Sequence, residues 1–351
     1  MLSNRAMYGH RYIACLLAVV FALLLGLVAQ DAPAASSATQ GTINPPSEQS
    51  FTAALKRAVE GDPKAQTDIG AMYSTGTGVN RDPARAIQWW QKAAMQGHAG
   101  AQFNLGQSYL MGNGAPMDMD KAADWFQKAA DQGLAHAQYN LGTMYADGRS
   151  VRRDAVKALE LFQNAASQGL AEAQVNLGVM YAAGEGVSKD FGTAALWLQK
   201  AAEQGNSEAQ VRLGVMHQKG EGFPKDILKA IDWWQKAAIQ DHAGAQVRLG
   251  STYHGGDGVA KNSTLALAWY TKAAANGHTG AQRVLAGIYA LGDDAPEDVI
   301  LAYAWAILAV RGGNEGGVAA KNMLEKALAP EEKLEAQRLA AKWKKGQTLR
   351  R

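Results

Sequence analysis

An all-α solenoid of about seven 36-residue helix-turn-helix units is the fold class this sequence predicts, and three phased rows of residues predict it. The doublet Ala-Gln returns seven times at intervals of 36 residues, from Ala65-Gln66 to Ala281-Gln282. A glycine keeps the same phase at Gly70, Gly106, Gly142, Gly178, Gly214 and Gly250, with a tyrosine three residues later at Tyr73, Tyr109, Tyr145, Tyr181, Tyr253 and Tyr289. A tryptophan row follows at Trp89, Trp125, Trp197, Trp233, Trp269 and Trp305, broken only by Leu161. Periods of about 20–50 residues mark solenoids, whose units bury their apolar faces only by stacking on neighbours. The length of 351 residues therefore counts repeats, not globular domains.

Residues 1–34 read as an export signal, because Arg5 and Arg11 precede an uncharged apolar stretch from Tyr12 to Ala29 and then the small residues Ala32-Pro33-Ala34-Ala35. Cleavage is expected after Ala34. Left uncleaved, the stretch would be an inner-membrane anchor, since it approaches the roughly 17 residues that just span a bilayer. Either outcome places the repeats outside the cytoplasm of a bacterium, in the periplasm or cell envelope, or secreted. The single cysteine, Cys15, lies within this stretch, so the mature chain is expected to hold neither a disulfide nor a thiolate site. Residues 35–50 are polar, carry Pro45-Pro46 and read as a flexible linker.

The solenoid is expected over residues 51–313, opening with a lone helix at 51–60 that repeats the second half of a unit. Within a unit, Ala65, Ile69, Met72 and Tyr73 share one face at helical spacing, which makes the first helix, A, amphipathic. A glycine inside a helix costs about 1 kcal/mol relative to alanine, so Gly70 and its phase-mates mark a close approach by a neighbouring helix. Glycine loops such as Gly76-Thr77-Gly78 end helix A, because glycine enters the left-handed region without penalty. The second helix, B, starts at Asp82, Asp118, Asp154, Asp190, Asn262 or Asp298, whose side chains can accept from the first free backbone N–H groups. The Trp row runs in step with the small residues Ala86, Ala122 and their phase-mates, so it is expected to form a buried seam. Residues 314–351 read as a C-terminal cap and tail, with Pro330-Glu331-Glu332 opening the final helix.

The chemistry-bearing patterns are missing. No Ser-x-x-Lys, Gly-x-Ser-x-Gly, His-Glu-x-x-His or Walker phosphate loop occurs, so no catalytic residue, cofactor or metal ligand is assigned. The formal charge of +3 is scattered among acids without the basic stripe of a nucleic-acid binder, and no nucleic-acid partner is expected. His98, His242 and His278 share one phase, but whole units separate them, so they read as surface residues at helix junctions and not as ligands of one metal.

Binding is the remaining expectation. Positions two, six and nine residues after the repeated Ala should point away from the buried face of helix A, which places Thr67, Phe103, Tyr139, Val175, Val211, Val247 and Arg283 at the first of them and Gln107 at the second. Beside them run Asn104, Asn140, Asn176, Arg212 and Arg248. Asparagine amides can grip a peptide backbone, and Arg212 and Arg248 can hold a carboxylate. The plain alternative is a solvated face inherited by repeat duplication.

Phased Ala-Gln-x-x-Leu-Gly-x-x-Tyr, the glycine loop, the Asp cap and Ala-x-x-Trp-x-x-Lys-Ala-Ala together resemble Sel1-like repeats, relatives of the tetratricopeptide repeats, in bacterial exported members. Gln138 to Tyr145 and Trp197 to Ala202 illustrate the two halves. The resemblance implies a non-catalytic adaptor or scaffold joining a protein or peptide partner in the cell envelope, in signalling, envelope biogenesis or host interaction. By analogy with tetratricopeptide groove binders, it also implies that the ladder faces a concave side. Two alternatives stand beside it: an envelope hydrolase of β-lactamase type, and a binder of cell-wall glycan, exopolysaccharide or peptidoglycan. The family's cysteine-rich members, for which β-lactamase activity is described, carry paired cysteines that this chain lacks. His217 in place of the repeated Tyr, and Gly148-Arg149-Ser150 in place of Gly-x-Gly, read as drift.

Overall fold

A computed structural model describes residues 48–351. The export signal at 1–34 and the linker up to residue 47 lie outside them. The described residues form an all-α solenoid of 17 helices: α1 Glu48–Val59, α2 Pro63–Thr75, α3 Pro83–Met95, α4 Ala99–Met111, α5 Met119–Asp131, α6 Ala135–Asp147, α7 Ala155–Ser167, α8 Ala171–Ala183, α9 Phe191–Glu203, α10 Ser207–Lys219, α11 Ile227–Ala238, α12 Ala243–Gly255, α13 Ser263–Ala275, α14 Thr279–Leu291, α15 Val299–Arg311, α16 Gly316–Ala327 and α17 Pro330–Lys342. Helix α1 starts at Glu48, three residues inside the stretch read as linker. Even-numbered helices from α2 to α14 are the A helices, and odd-numbered helices from α3 to α15 are the B helices. Among the described residues no helix is long and apolar enough to cross a membrane. The chain divides into two compact units, one ending at Leu161 and one from Phe162 to Arg351, each described by itself below.

Local chemistry sets the helix ends as the sequence predicts. Asp82 accepts from the N–H of Arg85, Asp118 from that of Lys121, and Asp190 from those of Gly192 and Thr193. Asp226, which completes the row, accepts from Lys229 N–H at 3.0 Å. The backbone N–H of each such cap also donates to the tyrosine row, or for Asp226 to His217 O, as from Asp82 to Tyr73 O at 2.8 Å, which pins the start of helix B to the end of helix A. The A helices stop at left-handed glycines, with φ of 81° at Gly76 and 67° at Gly112.

The core is built by an interlock that differs from the sequence expectation. The Trp row is only half-buried at Trp89 and Trp125 in the first unit and at Trp197, Trp233 and Trp269 in the second. The buried residue is the next one along: Trp90 and Phe126 in the first unit, Leu198, Trp234 and Tyr270 in the second. One residue turns a helix by about 100°, so two adjacent apolar positions cannot both face helix A. The half-exposed rings instead carry a lysine from the following turn, with ammonium-to-centroid distances of 4.3 Å for Lys92 on Trp89 and 4.0 Å for Lys236 on Trp233. Trp305 is the exception, buried in a cluster with Leu324 of α16, Leu328 just beyond it, and Ala336 and Ala340 of α17, which together cover α15.

The phased glycines receive these buried side chains. A Cβ on Gly70 would overlap Trp90 Nε1, one on Gly106 would lie 2.6 Å from the Phe126 ring, and one on Gly214 would overlap Trp234 Nε1. The close approach is therefore by a side chain of the same repeat, not by a helix backbone. The indole N–H of Trp234 donates to Val211 O at 3.2 Å, which satisfies its one polar atom. In the last repeat the pair is exchanged for two small residues, Ala286 and Ala306, both fully buried.

The glutamine of each Ala-Gln doublet is buried, and Gln66, Gln102, Gln174, Gln210 and Gln246 each tie three helices together, whereas Gln282 donates to Ala274 O and its oxygen has no partner. In the second unit, the Gln210 amide donates to Ala202 O at 3.2 Å on the preceding helix B, and its oxygen accepts from Gln240 at 2.9 Å at the end of its own helix B. Gln174 does the same with Ala166 and Gln204, and Gln246 with Ala238 and Asn276. In the first unit, Gln66 pairs with Ala58 and Gln96, and Gln102 with Ala94 and Gln132. Buried amides satisfied on both ends couple neighbouring repeats directionally, which apolar packing alone does not do.

Candidate functional site

In the first unit the predicted ladder occupies α4 and α6. Asn104, Gln107, Tyr139 and Asn140 are half-buried. Phe103 packs against the core, its ring 5.8 Å from Phe126 and 6.0 Å from His136.

In the second unit the ladder occupies α8, α10, α12 and α14. Asn176, Arg212 and Arg248 hold one register position and are half-exposed, while Arg283 is exposed. The positions two residues after the repeated Ala do not face solvent as expected: Val175 and Val211 are 7% and 8% exposed. Val211 belongs to a cluster with Trp234 and Leu249, so helix A packs on its own helix B and also on the next helix A. Its apolar arc is wider than a single-face pattern indicates.

Arg212 does not stand alone. Its guanidinium pairs with Glu208 at 2.6 Å, and the same carboxylate meets His242 Nε2 at 3.4 Å. His242 caps α12, its Nδ1 accepting from Ala245 N–H at 3.3 Å, so Nε2 carries the proton facing Glu208. His98 and His278 cap α4 and α14 in the same way. Burial pushes the Glu208 carboxyl up, but the hydrogen bond from His242 and the Arg212 guanidinium outweigh burial and hold it at about 2. A carboxyl lowered in the folded state adds stability in full above its ordinary value of 4.5, and that stability is lost as the pH falls through about 2. Glu208→Gln should therefore flatten the fall of the thermal midpoint over this acid range. A midpoint-versus-pH curve parallel to that of the wild type would show that Glu208 does not carry it.

A second polar cluster lies in the loop of the last repeat. His254, Asp293 and Asp294 each bring one potential ligand atom within 4.8 Å of the others. The buried Asp294 carboxylate is already held by His254 Nδ1, by the Ser263 hydroxyl at the start of α13 and by Lys261 Nζ at 3.5 Å. The Lys261 ammonium supplies the positive charge a metal ion would bring, so this cluster is a clasp between consecutive loops.

Two features were missed from the sequence. The glutamine ties were visible as phased Gln rows, at 66, 102 and onward and again at 96, 132 and onward, but phase alone does not pair one row with another. The Glu208–His242 contact had no periodic signal.

Seven consecutive segments, 63–98, 99–134, 135–170, 171–206, 207–242, 243–278 and 279–314, match the Sel1 repeat. Among solved structures the chain is similar to the Sel1 repeat protein from Oxalobacter formigenes, at 34% identity and a TM-score of 0.67, with 80% of each chain covered. It is also similar to c5321, a protective antigen present in uropathogenic Escherichia coli strains displaying an SLR fold, at 28% identity and a TM-score of 0.54, covering 84% of this chain and 79% of that one. No curated protein matches it.

Proposed function

This chain belongs to the Sel1 repeat family, and on that basis we propose that it is a non-catalytic adaptor, exported to the cell envelope, that binds a protein partner along its A helices. Sel1 repeat proteins are generally protein-interaction scaffolds. The observation that carries the reading is the polar register of the second unit, where Asn176, Arg212 and Arg248 recur half-exposed at one position of the repeat. Glu208 and His242 hold the Arg212 guanidinium in place, which lowers the ordering cost of a charge-assisted bond to a partner carboxylate. Export is supported by the charged start, apolar stretch and small residues of 1–34.

A glycan-binding reading has one observation in its favour, the half-exposed Trp rings. The lysine ammonium over each ring, at 4.3 Å for Lys200 on Trp197, occupies the face on which a sugar would stack.

The test is proximity labelling from the full-length protein in its own cell, followed by an affinity comparison for the protein it returns. Envelope proteins should be labelled. Arg212→Ala with Arg248→Ala should weaken binding by about 1.5–3 kcal/mol per lost charge-assisted bond, with circular dichroism unchanged. Binding by the wild type should also weaken with salt. Equal affinities of the double variant and the wild type would remove the ladder from the interaction.

A further inference from the structure

Beyond α17 the chain turns back over the last two repeats, and residues 343–351 form no helix. Lys344 O accepts from Gln347 N–H at 3.0 Å, and Gly346 holds a φ of 92°, which closes a tight turn that glycine enters freely. From that turn the Gly346 N–H donates at 2.7 Å to the carbonyl of Ala275, the last residue of α13. At Arg351 the guanidinium pairs with Glu335 of α17 at 3.0 Å and with Asp298, the cap of α15, at 3.7 Å. Ala275 ends one B helix and Asp298 opens the next, so the segment runs lengthwise along the furrow between α13 and α15. Its reach agrees: the chain from Gly346 to Arg351 extends about 17 Å, close to the roughly 20 Å of either helix.

Trp343 and Leu349 pack against the core cluster that α13, α15 and α17 share, while the rest of the segment is exposed. The strap covers a place that the preceding repeat leaves open: Ala275 is 6% exposed, and Ile239, at the same position one repeat earlier, is 72% exposed. It is held lightly, by a backbone hydrogen bond, two half-buried apolar side chains and ion pairs in contact with solvent, which contribute little and weaken with salt. Segments with so few buried contacts are the first to open. The furrow beneath offers a backbone acceptor at one end, an apolar floor and two carboxylates at the other. Those features fit an extended chain that is apolar in the middle and carries a guanidinium at its far end.

We propose that this furrow is a docking groove for an extended segment of a partner protein carrying a leucine two residues before an arginine, and that residues 343–351 are its displaceable internal occupant. The partner's arginine takes the place of Arg351 between Asp298 and Glu335, and its leucine takes the place of Leu349. None of the ladder residues takes part, so the groove stands or falls separately from the ladder.

The test uses the full chain and the peptide acetyl-Trp-Lys-Lys-Gly-Gln-Thr-Leu-Arg-Arg-amide, which copies the strap. Leu349→Ala with Arg351→Ala loosens the strap and leaves the furrow intact. Apparent affinity scales with the fraction of furrow that is open, so this variant should bind the peptide at least about tenfold more tightly than the wild type does. Glutamate in place of both peptide arginines should abolish binding. Adding Asp298→Asn and Glu335→Gln should weaken it by about two- to tenfold. Asparagine already caps the preceding B helix at Asn262, so circular dichroism should show the fold retained. Saturating the wild type with peptide should strip the Gly346 amide of its protection from hydrogen exchange. No binding by the loosened variant, equal affinity for the two peptides, or bound peptide with Gly346 still protected would each overturn the groove. A concentration-dependent dimer of the wild type that is lost in the Leu349→Ala, Arg351→Ala variant would make a second copy of this chain the occupant and overturn the partner assignment.

Discussion

Trp234→Ala should destabilise the second unit by about 3–5 kcal/mol, and Trp233→Ala, one residue earlier, by only a fraction of that. Trp234 is fully buried, fills the space left by Gly214 and donates its indole N–H to Val211 O. Its removal opens a cavity and leaves that carbonyl without a side-chain donor. Trp233 keeps one face toward Lys236 and solvent, so alanine there removes surface contacts. A loss of 3–5 kcal/mol is a large share of the roughly 5–15 kcal/mol that holds a typical domain. Coupling between neighbouring repeats should spread it along the unit. Urea unfolding of the two variants decides the matter. Equal losses would mean that the two rings share the burial.

Gly214→Ala should destabilise by about 1–3 kcal/mol in the wild type and should be harmless or mildly stabilising once Trp234 is alanine. The added Cβ would overlap Trp234 Nε1 and lie 2.5 Å from its Cδ1, and a ring held by a hydrogen bond and close packing cannot shift without cost. With the indole gone the clash disappears, and alanine gains about 1 kcal/mol of helix propensity over glycine. The last repeat already holds that combination in Ala286 and Ala306. The double-mutant cycle should therefore show a coupling whose sign favours the pair of changes together. Additive losses would show that Gly214 and Trp234 do not interlock.

Much of this architecture was legible in the sequence because each repeat restates it. The Ala rows, the Asp caps and the left-handed glycines follow from requirements local to one turn or one cap, and each unit meets them with the same residue types. The Trp row was misplaced by one residue for a physical reason. Trp89-Trp90 and Trp233-Trp234 are doublets, so periodicity does not say which ring turns inward, and only the partner glycine twenty residues earlier does. The burial of Val175 and Val211 was hidden because helix A serves two interfaces, while a pattern read one unit at a time shows one. His217 reads as drift in the sequence, since a departure from phase carries no sign of what it borders. Its stacking on Phe223, which departs from the repeat in the same unit, becomes visible only when α10 and its loop are brought together.

The claim that this Sel1 repeat chain binds a protein along its A helices is tested most directly by amide hydrogen exchange of the full chain with and without the partner found by proximity labelling. The expected result is slowed exchange centred on α8, α10 and α12, around Asn176, Arg212 and Arg248, with the B helices little changed. Protection confined to α9, α11 and α13 or to α16 and α17, with the A helices unaltered, would contradict it.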